Sequence, residues 1–307
     1  MFPGNGLAGA EAAISVVLLL HTGAFPIMPP VPFILIADDY GLTEGVSRAI
    51  LTLLESGRIS GTGCMTNQSG WPKLAQDLAP YRGNAELGLH LTLTLGRPLG
   101  PMPLLAPNGE LPALGHILKA TFLGNLSKRE ISAEITRQIA EFEAQTGRLP
   151  DFVDGHQHVH ILPTIRSALW EAIEHYRPGW RPWLRNPADH LGAIMARGVS
   201  VGKSLFIAFL AQGFAVSAKK RGFSVNDSFS GVSDFDTKGD FASDFRRYLL
   251  VSGERHLVMC HPGHSDAALA ALDPVTKARD IEFEFIQSEA FSALLTSMNM
   301  EIGQFRK

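Results

Sequence analysis

Short, continuously apolar stretches alternate with amphipathic stretches along most of the chain. The first apolar stretch, FILIA (33–37), is typical of a strand that is buried on both faces of a parallel sheet. The helix after it is predicted to begin at Thr43, to carry apolar residues on one face and to end at Gly57. A strand followed by a helix in this way makes one βα unit.

The same signals predict seven further strands, which are separated by helical stretches. These strands lie at ISGTGCMT (59–66), AELGLHL (85–91), DFVDGHQ (151–157), PWLRN (182–186), FSVN (223–226), HLVMCH (256–261) and EIGQF (301–305). The pattern therefore predicts an α/β fold with about seven or eight βα repeats around a parallel sheet.

Three other segments have distinct patterns. Ser127 and Glu130 form a capping box ahead of a helix that is predicted to end at Gly147. Residues 95–125 are rich in proline and glycine, which predicts a long excursion that covers or lines a site. Residues 203–222 are strongly apolar but are interrupted by polar and glycine positions, which favours a buried or partner-facing helix over an integral membrane span.

The amino terminus, residues 1–30, is predicted to be an extension that lies outside the folded domain, and whether it belongs to the native protein is left open. Its apolar part is too short and interrupted to span a bilayer, and no Lys or Arg precedes Arg48, which argues against a secretory signal. Met28 is then an alternative start, directly before the first strand. Residues 31–307 are predicted to form a single domain.

The composition narrows the class of protein. The chain has 307 residues, 45% of them apolar, which is enough for a large core. A net charge of −3 gives no electrostatic footprint for nucleic acid. Two cysteines far apart in sequence, Cys64 and Cys260, favour a reducing compartment, so we expect a cytoplasmic protein. Whether the chain forms a homo-oligomer is left open.

Titratable side chains collect where predicted strands end, which is where active sites form in parallel βα folds. Four places qualify: Asp38–Asp39, His90, Asp154–His160 and His261. Six of the 11 histidines lie in or beside these places, more than random scatter would give. In DFVDGHQHVH (151–160), Asp154, His156, His158 and His160 alternate, so that a continuing strand would place them on one face.

Each place also has a structural explanation. An Asp-Asp pair often caps a helix or forms a turn, and a single histidine is often a satisfied core residue. Together, however, one carboxylate and two imidazoles from different strand ends are a familiar ligand set for a divalent metal with open positions. The second carboxylate of an adjacent aspartate pair could then take a proton from water, and a histidine could protonate a leaving group.

Four motifs resemble the YdjC-like carbohydrate deacetylase family, which includes chitooligosaccharide deacetylases. They are ADDYGLTEGV (37–46), GLHLTLTLGRPL (88–99), DGHQHVH (154–160) and MCHPG (259–263). The resemblance implies a TIM-barrel-like fold, distorted or seven-stranded, as in polysaccharide deacetylases. It also implies an enzyme that hydrolyses the N-acetyl group of an amino sugar or oligosaccharide and releases acetate.

Carried onto this sequence, the resemblance implies that Asp39, His90 and His156 bind one divalent metal ion, Mg or Zn. Asp38 is then the general base and His261 the general acid. Four further residues are expected to support the ligands or contact the substrate: Asp154, His158, His160 and Arg185. Two alternative functions stay open: hydrolysis of another bond, such as a phosphoester or another amide, and sugar binding without catalysis.

Overall fold

The computed structural model describes residues 29–305, so residues 1–28 of the predicted extension lie outside the described residues. The described residues form eight strands. They are β1 (Val31–Tyr40), β2 (Gly61–Cys64), β3 (Glu86–Leu91), β4 (Phe152–Gly155), β5 (Trp183–Leu184), β6 (Ser228–Ser230), β7 (His256–Cys260) and β8 (Met300–Ile302).

Twelve α-helices occur in the described part of the chain, together with two 3-10 segments, Ala75–Tyr81 and His156–Ile161. The helices are α1 (Glu44–Glu55), α2 (Trp71–Leu74), α3 (Leu114–Phe122), α4 (Lys128–Thr146), α5 (Pro163–Tyr176), α6 (Leu191–Arg197), α7 (Val201–Leu210), α8 (Phe214–Lys219), α9 (Phe241–Tyr248), α10 (Ala267–Leu272), α11 (Lys277–Gln287) and α12 (Glu289–Ser297).

Seven strands form a parallel sheet in the order β5-β4-β3-β2-β1-β7-β6, and β8 pairs with β1. A single parallel bridge from Leu184 to Val225 links the last strand of one edge to the chain just before β6. Asn226 reinforces this seam, because its side-chain amide donates to the Asn186 carbonyl at 2.8 Å. The sheet therefore curls into a half-barrel, which confirms the predicted α/β barrel-type fold with seven strands.

The amino-terminal ends of the strands are closed by packed aromatic rings. Trp183 stacks on Phe152 with ring centroids 4.3 Å apart and on Phe305 at 4.5 Å. The Trp183 indole donates to Glu86 at the start of β3, so its polar edge is also satisfied. The opposite, carboxyl ends of the strands carry the polar residues and open into the cavity described below.

The predicted helix signals are confirmed where they are local. The Thr43 hydroxyl accepts from the Val46 amide, and the Ser127 hydroxyl accepts from the Glu130 amide. Gly147 follows α4 in the left-handed conformation, with φ of 72°. The Glu130 carboxylate accepts from the Leu104 and Leu105 amides, so the predicted capping box also anchors the proline-rich excursion.

Two predicted elements differ from the structure. The strand predicted at 223–226 was misplaced, since β6 forms at Ser228–Ser230 and only Val225 of the earlier stretch makes a bridge. Of the two alternatives for the helix at 203–222, burial does not hold for α7, which has no buried residue, and contact with a partner stays a prediction. Val201–Lys219 is, by length and composition alone, apolar enough to cross a membrane, but a turn at Gly213 divides it into α7 and α8.

Candidate metal centre and active site

The adjacent aspartates at the end of β1 have separate partners. Asp39 has φ of 71°, a left-handed conformation that aspartate tolerates better than most residues, and the pairing of β1 with β2 is irregular between Ala37 and Tyr40. Both carboxylates are buried, at 2% and 1% exposure. Asp38 pairs with Arg185, whereas Asp39 faces two histidines, so the irregular strand end aims neighbouring carboxylates at different groups.

The carboxylate of Asp39 meets imidazoles from two other strand ends. Its Oδ1 atom lies 3.3 Å from His90 Nε2, at the end of β3, and 3.1 Å from His156 Nδ1, just after β4. One ligand atom from each of these residues lies within 4.8 Å of the others. The structure thus brings together the three residues that the resemblance implies as ligands, and one oxygen with two nitrogens suits a divalent metal.

Asp154 orients one of these imidazoles. Its Oδ1 atom lies 2.7 Å from His90 Nδ1, which leaves Nε2 free for an ion, the arrangement that carboxylates commonly impose on metal-binding histidines. Burial lowers the pKa of His90, but Asp154 and Asp38 outweigh burial and raise it to about 10. The surroundings of His90 therefore stabilise positive charge at this point.

The net charge of the buried cluster also favours a cation. Asp38, Asp39 and Asp154 supply three buried carboxylates, whereas Arg185 and Arg279 supply two guanidinium groups. Asp38 and Asp154 could hold an ion with His90 instead, but Arg185 already lies 2.6 Å from both carboxylates. The set that includes Asp39 fits a metal ion better, because Arg279 contacts only the Oδ2 atom of Asp39 and leaves Oδ1 facing both imidazoles.

Arg185 holds the predicted general base. Its two terminal nitrogens each lie 2.6 Å from one oxygen of Asp38, a bidentate pair, and the arginine is completely buried. Burial raises the pKa of Asp38, but Arg185 and His90 outweigh burial and lower it to about 2. Asp38 is therefore ionised and fixed in direction, as a proton acceptor must be, while Arg185 lies behind it and does not line the cavity.

His261 lies beside the same aspartate. Its Nε2 atom is 3.9 Å from Asp38 Oδ2, and its ring packs edge-on against Phe235. Burial lowers the pKa of His261 to about 4, so the imidazole is neutral in the free protein. To act as a general acid, His261 must therefore take up a proton during the reaction.

The remaining predicted residues do not share one strand face. The chain leaves β4 after Gly155, and Gln157 and His158 adopt left-handed conformations with φ of 52° and 58°. His158 lines the cavity and packs against Phe229. His160 is buried, and its Nε2 atom lies 2.8 Å from the Arg185 carbonyl, so it supports the arginine from outside the cavity.

Helix α11 contributes two charged residues that the sequence analysis missed. Arg279 Nη2 lies 2.6 Å from the Asp39 Oδ2 atom and 2.7 Å from Asp273. Glu282 accepts from the His261 backbone amide at 2.6 Å, and burial raises its pKa to about 7. The signal was available, because these charged residues share a helical face with the apolar Ile286 at spacings of three and four residues.

These groups form the floor of a cavity of about 400 Å³ at the carboxyl ends of the strands. Its polar lining includes Asp38, Asp39, His90, His156, His261 and Arg279. The excursion at 95–125 also reaches the cavity, since Leu114 and Leu118 of α3 lie in its wall. A substrate in this cavity would contact the candidate ligands, the candidate base and the candidate acid together.

The model of the YdjC-like protein family matches residues 32–297. The chain belongs to the YdjC-like family. All four motifs lie inside the matched range, and so do Arg279 and Glu282, the two residues of α11 that contact the site.

Named relatives are similar over different lengths. The chain is 38% identical over 130 residues to a chitooligosaccharide deacetylase of Serratia marcescens, which covers 42% of this chain and 50% of that protein. It thus spans about half the length of this relative. It is 26% identical over 272 residues to a carbohydrate deacetylase of Geobacillus stearothermophilus, covering 88% of this chain and 95% of that protein.

A solved structure supports the fold. A crystal structure from Enterococcus faecalis V583, of a protein named for cellobiose-phosphate cleavage, superposes with a TM-score of 0.66 and 18% identity. The superposition covers 90% of this chain and 97% of that chain. At this identity the likeness bears on the fold alone.

Proposed function

We propose that this YdjC-like protein is a metal-dependent carbohydrate deacetylase, which hydrolyses the N-acetyl group of an amino sugar or a chitooligosaccharide-type substrate and releases acetate. The observation that carries the proposal is the convergence of Asp39, His90 and His156 on one point beside Asp38. The names of the Serratia and Geobacillus relatives support the same reaction.

Asp39, His90 and His156 would hold one divalent ion, Mg or Zn. Such an ion lowers the pKa of water and polarises a carbonyl oxygen. Asp38, ionised and held by Arg185, accepts the proton of the attacking water as the carbonyl becomes tetrahedral. His261, which faces the same aspartate, takes up a proton and donates it to the nitrogen, so that a free amine and acetate leave.

The surroundings of Asp38 argue against phosphoester hydrolysis. Phosphate sites commonly use arginine or lysine clamps, and both arginines of this cluster are already engaged by carboxylates. A sugar-binding protein without catalysis would not need both Asp38 and His261 next to the ligand set. We also infer a cytoplasmic location, which the two free, buried cysteines support.

The test measures acetate released from N-acetylglucosamine and its β-1,4 oligomers by wild-type protein and by two variants. Asp38→Asn removes the proton acceptor and is expected to lower turnover by about 10²- to 10⁴-fold. Asp77→Asn, a matched change at an exposed position, is expected to keep wild-type turnover. Full turnover in Asp38→Asn would contradict the assigned base, and release of phosphate from sugar phosphates without any release of acetate would contradict the reaction.

A further inference from the structure

The cavity has two chemically different halves. The floor is the charged cluster around Asp39, whereas much of the wall is aliphatic or aromatic. The apolar wall includes Leu114 and Leu118 of α3, Phe206, Ile207 and Leu210 of α7, and Leu272 of α10. Floor and wall belong to one continuous cavity, so a molecule that reaches the metal ligands also contacts the wall.

The apolar wall offers little to additional sugar rings. Sugar hydroxyls need hydrogen-bond partners when they are buried, and an apolar surface leaves them unsatisfied. The ammonium group of Lys203 also lines the cavity, but it is already paired with Asp234 and with the Ser233 carbonyl. Among the described residues that line the cavity there is no Trp or Tyr. This half of the cavity is therefore suited to a ligand without hydroxyl groups.

Helix α7 keeps its apolar side chains at the cavity and around it. Phe206 is 49% exposed although it lines the cavity, and none of the residues of α7 is buried. Leu205 and Phe209 continue the apolar surface outside the cavity, at 37% and 57% exposure. Exposure of several neighbouring apolar side chains to water, as on α7, is unfavourable unless a ligand or a lipid phase covers them.

We propose that the apolar wall formed by α3, α7 and α10 binds an aliphatic chain attached through the glycosidic position of the substrate. The substrate class is then an amphiphilic N-acetylated amino sugar, with its sugar over the metal ligands and its chain along α7. This inference rests on the proposed deacetylase function and specifies the substrate of that same site. The aliphatic chain is placed at the glycosidic position and not on the nitrogen, because the acyl group that leaves the nitrogen is acetate.

The test compares alkyl β-glycosides of N-acetylglucosamine, from methyl to octyl, below their micelle-forming concentrations. Affinity is measured by calorimetry with the full-length Asp38→Asn variant, in which turnover is expected to be about 10²- to 10⁴-fold slower, and kcat/KM is measured with wild-type protein. A fully buried methylene contributes a factor of about four in affinity. Partial burial along an open groove still predicts a rise of at least about tenfold from methyl to octyl.

Two substitutions on the same helix separate the wall from the outer surface. Phe206→Ser, which removes a ring from the wall, is expected to abolish most of the rise in affinity with chain length. Phe209→Ser removes a similar ring that lies outside the cavity and is expected to keep the full rise. Both side chains are largely exposed, so neither change is expected to prevent folding.

Three results would overturn the inference: equal affinity for methyl and octyl glycosides, tighter binding of chitobiose or chitotriose than of the octyl glycoside, or a chain-length preference seen only with long N-acyl groups. The proposed function fails independently. If affinity rises with chain length but no glycoside releases acetate, the assignment of the wall stands and the deacetylase reaction does not.

Discussion

Replacement of Arg185 by methionine tests how the candidate base is held. The guanidinium is completely buried and lies 2.6 Å from carboxylate oxygens of both Asp38 and Asp154. Removing one partner of a buried charge pair costs about 3–5 kcal/mol of stability, because the remaining carboxylates keep their burial and lose their counter-charge. For a protein with about 5–15 kcal/mol of unfolding free energy, this loss is large but compatible with folding at low temperature.

The assay combines urea unfolding with acetate release from the folded protein at low temperature. Arg185→Met is expected to lose both stability and turnover, since Asp38 is no longer fixed toward the attacking water. Arg197→Met is the control, because Arg197 is likewise buried, pairs with Asp189 and lies outside the cavity. It is expected to lose comparable stability and to keep turnover per folded molecule.

Wild-type turnover in folded Arg185→Met would refute the reasoning, since Asp38 would then not need its bidentate partner. Equal loss of turnover in Arg197→Met would refute it as well. The two effects would then come from general destabilisation, not from the position of Asp38.

Two further predictions concern orientation of the ligands and the effect of pH. Asp154→Asn is expected to lower metal affinity by about 10- to 100-fold in a chelator competition, because His90 loses the carboxylate that fixes its ring; unchanged affinity would contradict this role. His256 is completely buried. Burial, and after it the nearby charge of Arg197, lowers the pKa of His256 to about 4, so His256 takes up a proton in the unfolded chain before it does so in the folded protein as pH falls. The contribution of His256 to the unfolding free energy is therefore expected to fall by about 3 kcal/mol between pH 6.5 and 4. A urea titration at several pH values should show a flatter dependence in His256→Gln, and an unchanged slope would exclude His256 as its source.

Much of the fold could be predicted because its signals are local. Thr43 and Ser127 cap their helices with their own side chains, and Gly147 ends α4 by adopting a conformation that glycine favours. The strand ends that carry the candidate ligands could be predicted because parallel strands end on one side of a sheet, whereas the choice of Asp39, His90 and His156 followed from the family resemblance.

Other features depended on contacts that sequence spacing does not contain. The alternation of His156, His158 and His160 suggested one strand face, but the chain turns after Gly155 and sends the three imidazoles to different surroundings. Glu282 lies outside the four motifs, 21 residues after His261, and packing of α11 over the strand ends brings it to His261.

The seam of the barrel and helix α7 are two further features that could not be predicted from sequence spacing. Residues 223–226 have a strand-like composition. The Asn226 side chain, however, accepts from the Asn186 amide and donates to the Asn186 and Ser228 carbonyls, and β6 forms only after it. The apolar composition of α7 predicted a buried or partner-facing helix, and the helix lies beside an open cavity with none of its residues buried. The composition of a helix shows that it is apolar, but only the folded structure shows whether other residues of the chain cover it.

The most direct test of the central claim is acetate release by the same preparation before chelation, after removal of divalent metal, and after a single metal is restored. We expect one ion per chain, loss of acetate release on chelation and recovery when the ion returns. Undiminished acetate release by protein shown by elemental analysis to contain no metal would contradict the claim.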